Sequence, residues 1–309
     1  MRRGVLLVLA PFLMHALRAP DAIVLPFPAQ DLWPLPPRFE LPPVDITLVE
    51  AAEMDGWTLV PIVVTAEEVR TDAELWRRMF FHNWDRIATP LREDGLAAMH
   101  ARFRPLLLGP AMWDRMDAAD WDLVPQPIRA MAILGMIDCW QGHYRPGRSF
   151  GIPGETVRSR LHAVAMVESW FVHRAVNEND DGTRDLGIAQ ASDYARSRLR
   201  VFHVRGDSDF GLAEDDYFDP WKATRALVYW FSLMLDETEG DLDAATRAYH
   251  VGGDRARAGA GDTYLAGVER VEAAYARGPA PSPTWTWLRR RCASPCPLLQ
   301  DLADDPAEE

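Results

Sequence analysis

Glu168 occupies an otherwise apolar helical face. In the stretch HAVAMVESWFVHRAVNENDDGTRDLGIAQ, His162 to Gln190, the residues Leu161, Val164 and Phe171 lie seven before, four before and three after it, which places them on its side of an α-helix. A carboxyl group among such neighbours loses the water that favours its charged form, so its pKa rises. A carboxylic acid that keeps its proton near neutral pH is the reagent needed to protonate a leaving oxygen. Two plainer readings of the same pattern stay open: a Glu at a helix end with its tip in water, or a Glu paired with an arginine such as Arg174.

The loop that follows is rich in Asn and Asp. Asn177, Asn179, Asp181, Gly182 and Asp185 fall at the first, third, fifth, sixth and ninth positions of a calcium-binding EF-hand loop, but the twelfth is Ile188, where the bidentate Glu belongs. The loop is therefore read as turn-forming, with Asn and Asp bonding their own backbone, and no metal site is expected. Asp180, Asp181 and Asp185 are the carboxylates that would activate water if they reached the far side of a scissile bond. There is no His-Glu-x-x-His, no phosphate-binding Gly-rich loop followed by Lys, and no Gly-x-Ser-x-Gly.

Four segments in order resemble the motifs of soluble lytic transglycosylases (SLT) of the lysozyme-like superfamily: ESWF at Glu168 to Phe171, DLGIAQ at Asp185 to Gln190, AYHVG at Ala248 to Gly252, and Tyr264 in GDTYLAGV. The resemblance covers about residues 157–275 and implies a goose-lysozyme/SLT-type helical catalytic domain. It implies that Glu168 is the single acid/base, cleaving the β-1,4 bond between N-acetylmuramic acid and N-acetylglucosamine in peptidoglycan with a 1,6-anhydro product. Ser169 would orient the substrate N-acetyl group, Gly187 and Gln190 would form a loop facing the cleft, and Tyr249 and Tyr264 would hold Glu168 and the sugar. Phe171 and His250 complete the implied substrate site, and no cofactor is implied. Two positions depart from the family pattern: Ala189 stands where Met is usual, and His250 where Asn is usual, exchanging an amide for a ring that can charge near neutral pH.

These residues need helices to carry them, and the chain reads as mainly α. TAEE at Thr65 to Glu68 has the form of a capping box, and helical periodicity follows, with helices expected at Glu67–Trp84, Leu91–Phe103, Pro127–Gly142 and Val157–His173. Asp219 is an N-cap with Pro220 at the first helical position, and a further short helix stops at Gly252. Before them, residues 23–65 are a Pro-rich extended segment that ends in β-branched runs able to form one or two short strands. Trp76, Trp84, Trp113, Trp121 and Trp140 are read as core, with a sugar cleft as the alternative.

The division expected is a signal peptide at 1–22, the extended segment at 23–65, a mostly helical N-terminal region at 66–150, the lysozyme-like domain at 151–278 and a peripheral tail at 279–309. Two arginines, then an apolar run too short to span a bilayer, indicate export to the periplasm or cell envelope, without an integral membrane span. The net charge of −13 speaks against a nucleic-acid partner. Of three cysteines, Cys139, Cys292 and Cys296, the last two are the nearest pair for a disulfide in an exported protein. Peptidoglycan glycan strands are the expected partner. A lysozyme-type hydrolase of the same bond, and a catalytically weak peptidoglycan-binding envelope protein, are the alternatives.

Overall fold

A computed structural model describes residues 45–48, 62–79, 81–107, 109–179, 181–204 and 211–277, together with 284 and 287. The expected signal peptide, the Pro-rich stretch, most of the tail and Asp180 lie outside the described residues. Strands β1 (Asp45–Leu48) and β2 (Ile62–Thr65) pair antiparallel, with Asp45 opposite Thr65. Seven helices follow: α1 (Ala66–Thr71), α2 (Ala73–Arg78), α3 (Phe81–Arg86), α4 (Thr89–Phe103), α5 (Pro110–Trp113), α6 (Ala118–Asp122) and α7 (Gln126–Tyr144). Next come α8 (Gly154–Ser169), the antiparallel hairpin β3 (Val176–Glu178) and β4 (Arg184–Leu186), and α9 (Asp193–Val204). Helices α10 (Pro220–Glu237), α11 (Leu242–Val251), α12 (Gly253–Arg257) and α13 (Asp262–Arg277) follow. The protein is mainly α, as its periodicity predicts.

The first expected helix is divided into three. Asp72 caps α2 by accepting from the backbone N–H groups of Glu74 and Leu75, and Met79 is extended, so Asp72 and Met79 mark the breaks that apolar spacing alone conceals. Asp219 caps α10 as expected, through the N–H groups of Trp221 and Lys222, and Gly252 ends α11. A second correction bears on the site. α8 stops at Ser169 and does not continue to His173, because Trp170 and Phe171 both take left-handed backbone angles, φ 50° and 60°. Ordinarily Gly supplies that conformation at a helix end, and here two aromatic residues hold it.

One continuous core runs from Ala66 through α7, α8 and α10 to Trp287. α7 lies at its centre, buried along most of its length against α8 and α10. Gln126, at the start of α7, accepts from the N–H of Phe81 at 2.9 Å and donates to the carbonyl of Trp170 at 2.9 Å. It thus links the N-terminal helices to the turn just after Glu168. Cys139 on α7 is disulfide-bonded to a partner outside the described residues. The pair expected between Cys292 and Cys296 lies outside the described residues.

Candidate active site

Glu168 lies in the last turn of α8 and is 8% exposed. Its neighbours on the helix, Leu161 and Val164, are fully buried, as their spacing requires. Burial pushes the carboxyl pKa up from 4.5 to about 8; the charge of Asp185 acts in the same direction and a hydrogen bond from Tyr264 opposes both. The Tyr264 hydroxyl donates to Oε1 of Glu168 at 2.5 Å. Arg174 does not pair with Glu168: its guanidinium binds Asp122, 2.7 Å away. The carboxyl group opens onto a cavity of about 670 Å³.

The β3–β4 hairpin and the turn after it form one wall. Asn177 and Asn179 each donate a side-chain amide hydrogen to Oδ2 of Asp185, at 3.3 and 3.2 Å, while Thr183 donates to Asp181 through both its N–H and its hydroxyl. The segment read as a turn-forming loop is thus a cross-braced hairpin in which the would-be metal ligands bond one another. Asp181 and Asp185 both line the cavity. After β4 the chain makes a tight turn from Gly187 to Gln190, closed by the Gln190 N–H on the Gly187 carbonyl at 3.2 Å. Gly187 has φ 67°, and a Cβ there would meet the Tyr217 carbonyl oxygen at 1.8 Å, so the position requires glycine. Gln190 spends its amide hydrogens on the carbonyls of Gly187 and Ala175, and its buried Oε1 has no partner among the described residues.

Helices α11 and α12 line the cavity with Tyr249, His250, Val251 and Arg255, and α13 carries Tyr264. The Tyr249 hydroxyl donates to the Ala189 carbonyl at 2.7 Å, and the ring of His250 stacks on that of Tyr264, with centroids 4.3 Å apart and planes 6° from parallel. Desolvation of the stacked ring lowers the His250 pKa, as does Arg255, with Asp185 acting against them; this favours the neutral imidazole although the residue is exposed. Both tyrosines have pKa values raised well above the ordinary phenol by burial and by the charge of Glu168. They act as hydrogen-bond donors, not as acids.

Residues 154–271 match the transglycosylase SLT domain. The matched SLT region opens with the first residue of α8, closes within α13 and contains every residue that lines the cavity. Two curated proteins are also similar: Protein IpgF of Shigella flexneri and Protein IpgF of Shigella sonnei, each 42% identical over 67 residues, which are 22% of this chain and 40% of the relative. The chain thus spans less than half the length of these curated relatives. No solved structure matches it.

Within the SLT region, Glu168, Gln190, Tyr249 and His250 share the cavity, with Tyr264 reaching it through Glu168 and Gly187 shaping the turn behind it. Two expected residues do not face it. Ser169 is buried and its hydroxyl donates to the Ala165 carbonyl of its own helix at 3.2 Å, while Phe171, turned away by the left-handed break, is fully buried and packs edge-on to Phe81. Nor does Tyr249 touch Glu168 through its hydroxyl, which the Ala189 carbonyl takes instead. None of the five tryptophans weighed as sugar contacts lines the cavity. The tryptophan that does is Trp230 of α10, beside Ala195 and Leu199 of α9. Its place gives no sequence signal, because its neighbours one turn away, Ala226, Leu227, Leu233 and Met234, are apolar as well.

Proposed function

We propose that this chain is a peptidoglycan lytic transglycosylase with Glu168 as its single acid/base. The observation that carries the reading is a carboxyl group, buried at the end of α8, presented to a cavity large enough for sugar rings, and burial pushes its pKa up to about 8. The SLT match supports the reaction class. Tyr264 donates to Oε1, so the transferable proton resides on Oε2. In the first step that proton passes to the β-1,4 glycosidic oxygen between N-acetylmuramic acid and N-acetylglucosamine as the bond to the muramic C1 breaks. The substrate's own N-acetyl carbonyl supports the developing cation in place of an enzyme nucleophile. In the second, the carboxylate takes the proton of the muramic 6-hydroxyl, whose oxygen closes on C1 to give the 1,6-anhydro ring and restores the acid.

Gln190 fits the substrate side of this scheme because it lines the cavity, and its Oε1, without a partner among the described residues, is the acceptor it offers to a sugar hydroxyl or acetamido N–H. Ser169, bonded to its own helix, is assigned a structural part. No cofactor enters the scheme. The disulfide at Cys139 supports an oxidising compartment such as the periplasm or cell envelope, and among the described residues no helix is long and apolar enough to cross a membrane.

A second reading rests on Asp185, which lines the same cavity and whose charge acts on Glu168. A carboxylate so placed is positioned to activate water, and the enzyme would then hydrolyse the same bond. Mass spectrometry of products from purified sacculi separates the readings. Products lighter by one water than reducing muropeptides, absent with Glu168→Gln, are expected of the transglycosylase; reducing ends that vanish with Asp185→Asn would establish the hydrolase. Sacculus binding without cleavage by the unaltered protein would make the chain a binding protein.

A further inference from the structure

The guanidinium of Arg160, 6% exposed on α8, is held by three groups at once. Its Nε donates to Glu272 of α13 at 2.9 Å, and its Nη1 donates to Asp243 and to Thr246 of α11, each at 2.9 Å. A buried cation without such partners would be costly, and here the donors have carboxylate and hydroxyl acceptors that fix the side chain in one arrangement. The three helices it joins carry Glu168 on α8, Tyr249 and His250 on α11, and Tyr264 on α13. Arg160 lies eight residues before Glu168, and Glu272 lies eight residues after Tyr264. The pairs Arg160–Glu272 and Glu168–Tyr264 are therefore two rungs between antiparallel helices, separated by the same interval on each, about 12 Å of helix rise.

We propose that Arg160, through Glu272 and Asp243, is a positioning residue that sets the register of α13 and α11 against α8 and so places the Tyr264 hydroxyl on Glu168. Sliding one helix past the other by a single residue would move the hydroxyl by about 1.5 Å, enough to break a 2.5 Å hydrogen bond, and the Arg160–Glu272 rung resists that slide. The consequence reaches chemistry because the Tyr264 contact is what opposes the upward pull of burial and Asp185 on the acid. The inference rests on the reading of Glu168 as the acid, but its first readout does not require turnover.

The test compares Glu272→Gln and Asp243→Asn, which keep an acceptor while removing one charge, with Tyr264→Phe and the Glu272→Gln/Tyr264→Phe double variant. The Glu168 carboxyl is titrated by carbon-13 NMR, and kcat is followed against pH. Loss of the Tyr264 hydrogen bond is expected to shift the Glu168 titration upward. Glu272→Gln should shift it in the same direction and cut kcat between about ten- and a hundred-fold with little change in KM. The double variant should shift no further than Tyr264→Phe alone. Single variants that lower the melting temperature while leaving the titration and the basic limb of the pH profile at their wild-type positions would overturn the proposal. A wild-type protein that cleaves nothing would sink the functional reading while leaving the titration to decide this one.

Discussion

A raised pKa on a buried acid leaves a mark on folding as well as on catalysis. Between about pH 4.5 and 8 the folded protein keeps on Glu168 a proton that the unfolded chain has released, so the stability contributed by that proton is lost as pH rises through the window. The expected slope reaches about 1.4 kcal/mol for each pH unit. In Glu168→Gln it should disappear, so denaturant titrations of both proteins across that range check the assignment without any substrate. On sacculi the same substitution should cost at least about a hundred-fold in rate, the lower end of what a positioned acid provides. Asp185→Asn removes a charge that raises the Glu168 pKa, and the basic limb of the rate profile should move downward, opposite in sign to the effect of Tyr264→Phe.

Each wall of the cavity depends on local conformations that the sequence announces unequally. Gly187→Ala should destabilise the protein by about 2 kcal/mol or more, since a left-handed φ is combined with a Cβ driven into the Tyr217 carbonyl; a denaturation midpoint measures it. This turn was legible through the family resemblance that DLGIAQ carries, and α10 was legible from Asp219 and Pro220. The end of α8 was not. Nothing in ESWFVH marks a stop, and the break at Trp170 and Phe171 is imposed by burial: Phe171 packs on Phe81 and the Trp170 carbonyl is bound by Gln126. Ser169 and Phe171 were expected at the cleft on the family resemblance, which does not say which way either side chain faces. The hairpin is not legible either, since three-residue strands, VNE and RDL, are too short to show the alternating β-branched pattern that reveals strands. Arg160 and Trp230 were silent for a different reason, as their parts depend on partners up to 112 residues away or on which apolar side chain of a largely buried helix faces a void.

Across the described residues, the boundary drawn near residue 150 cuts through a shared core. α7 packs on both α8 and α10, and Gln126 joins Phe81 to Trp170. A fragment of residues 151–278 would expose the faces of α8 and α10 that α7 covers, so it is expected to show lost helicity and aggregation by circular dichroism and light scattering. The full chain should unfold in a single calorimetric transition spanning α1 to α13. The same architecture has an effect on the acid that no side chain supplies. With α8 ending at Ser169, Glu168 stands in the final turn, where the aligned peptide dipoles of the helix sum to a partial negative charge. That field disfavours a carboxylate, typically by about 0.3–1 kcal/mol. Unlike the contribution of Asp185, it does not titrate and no single substitution removes it, so part of the proton's hold on Glu168 is built into the backbone itself.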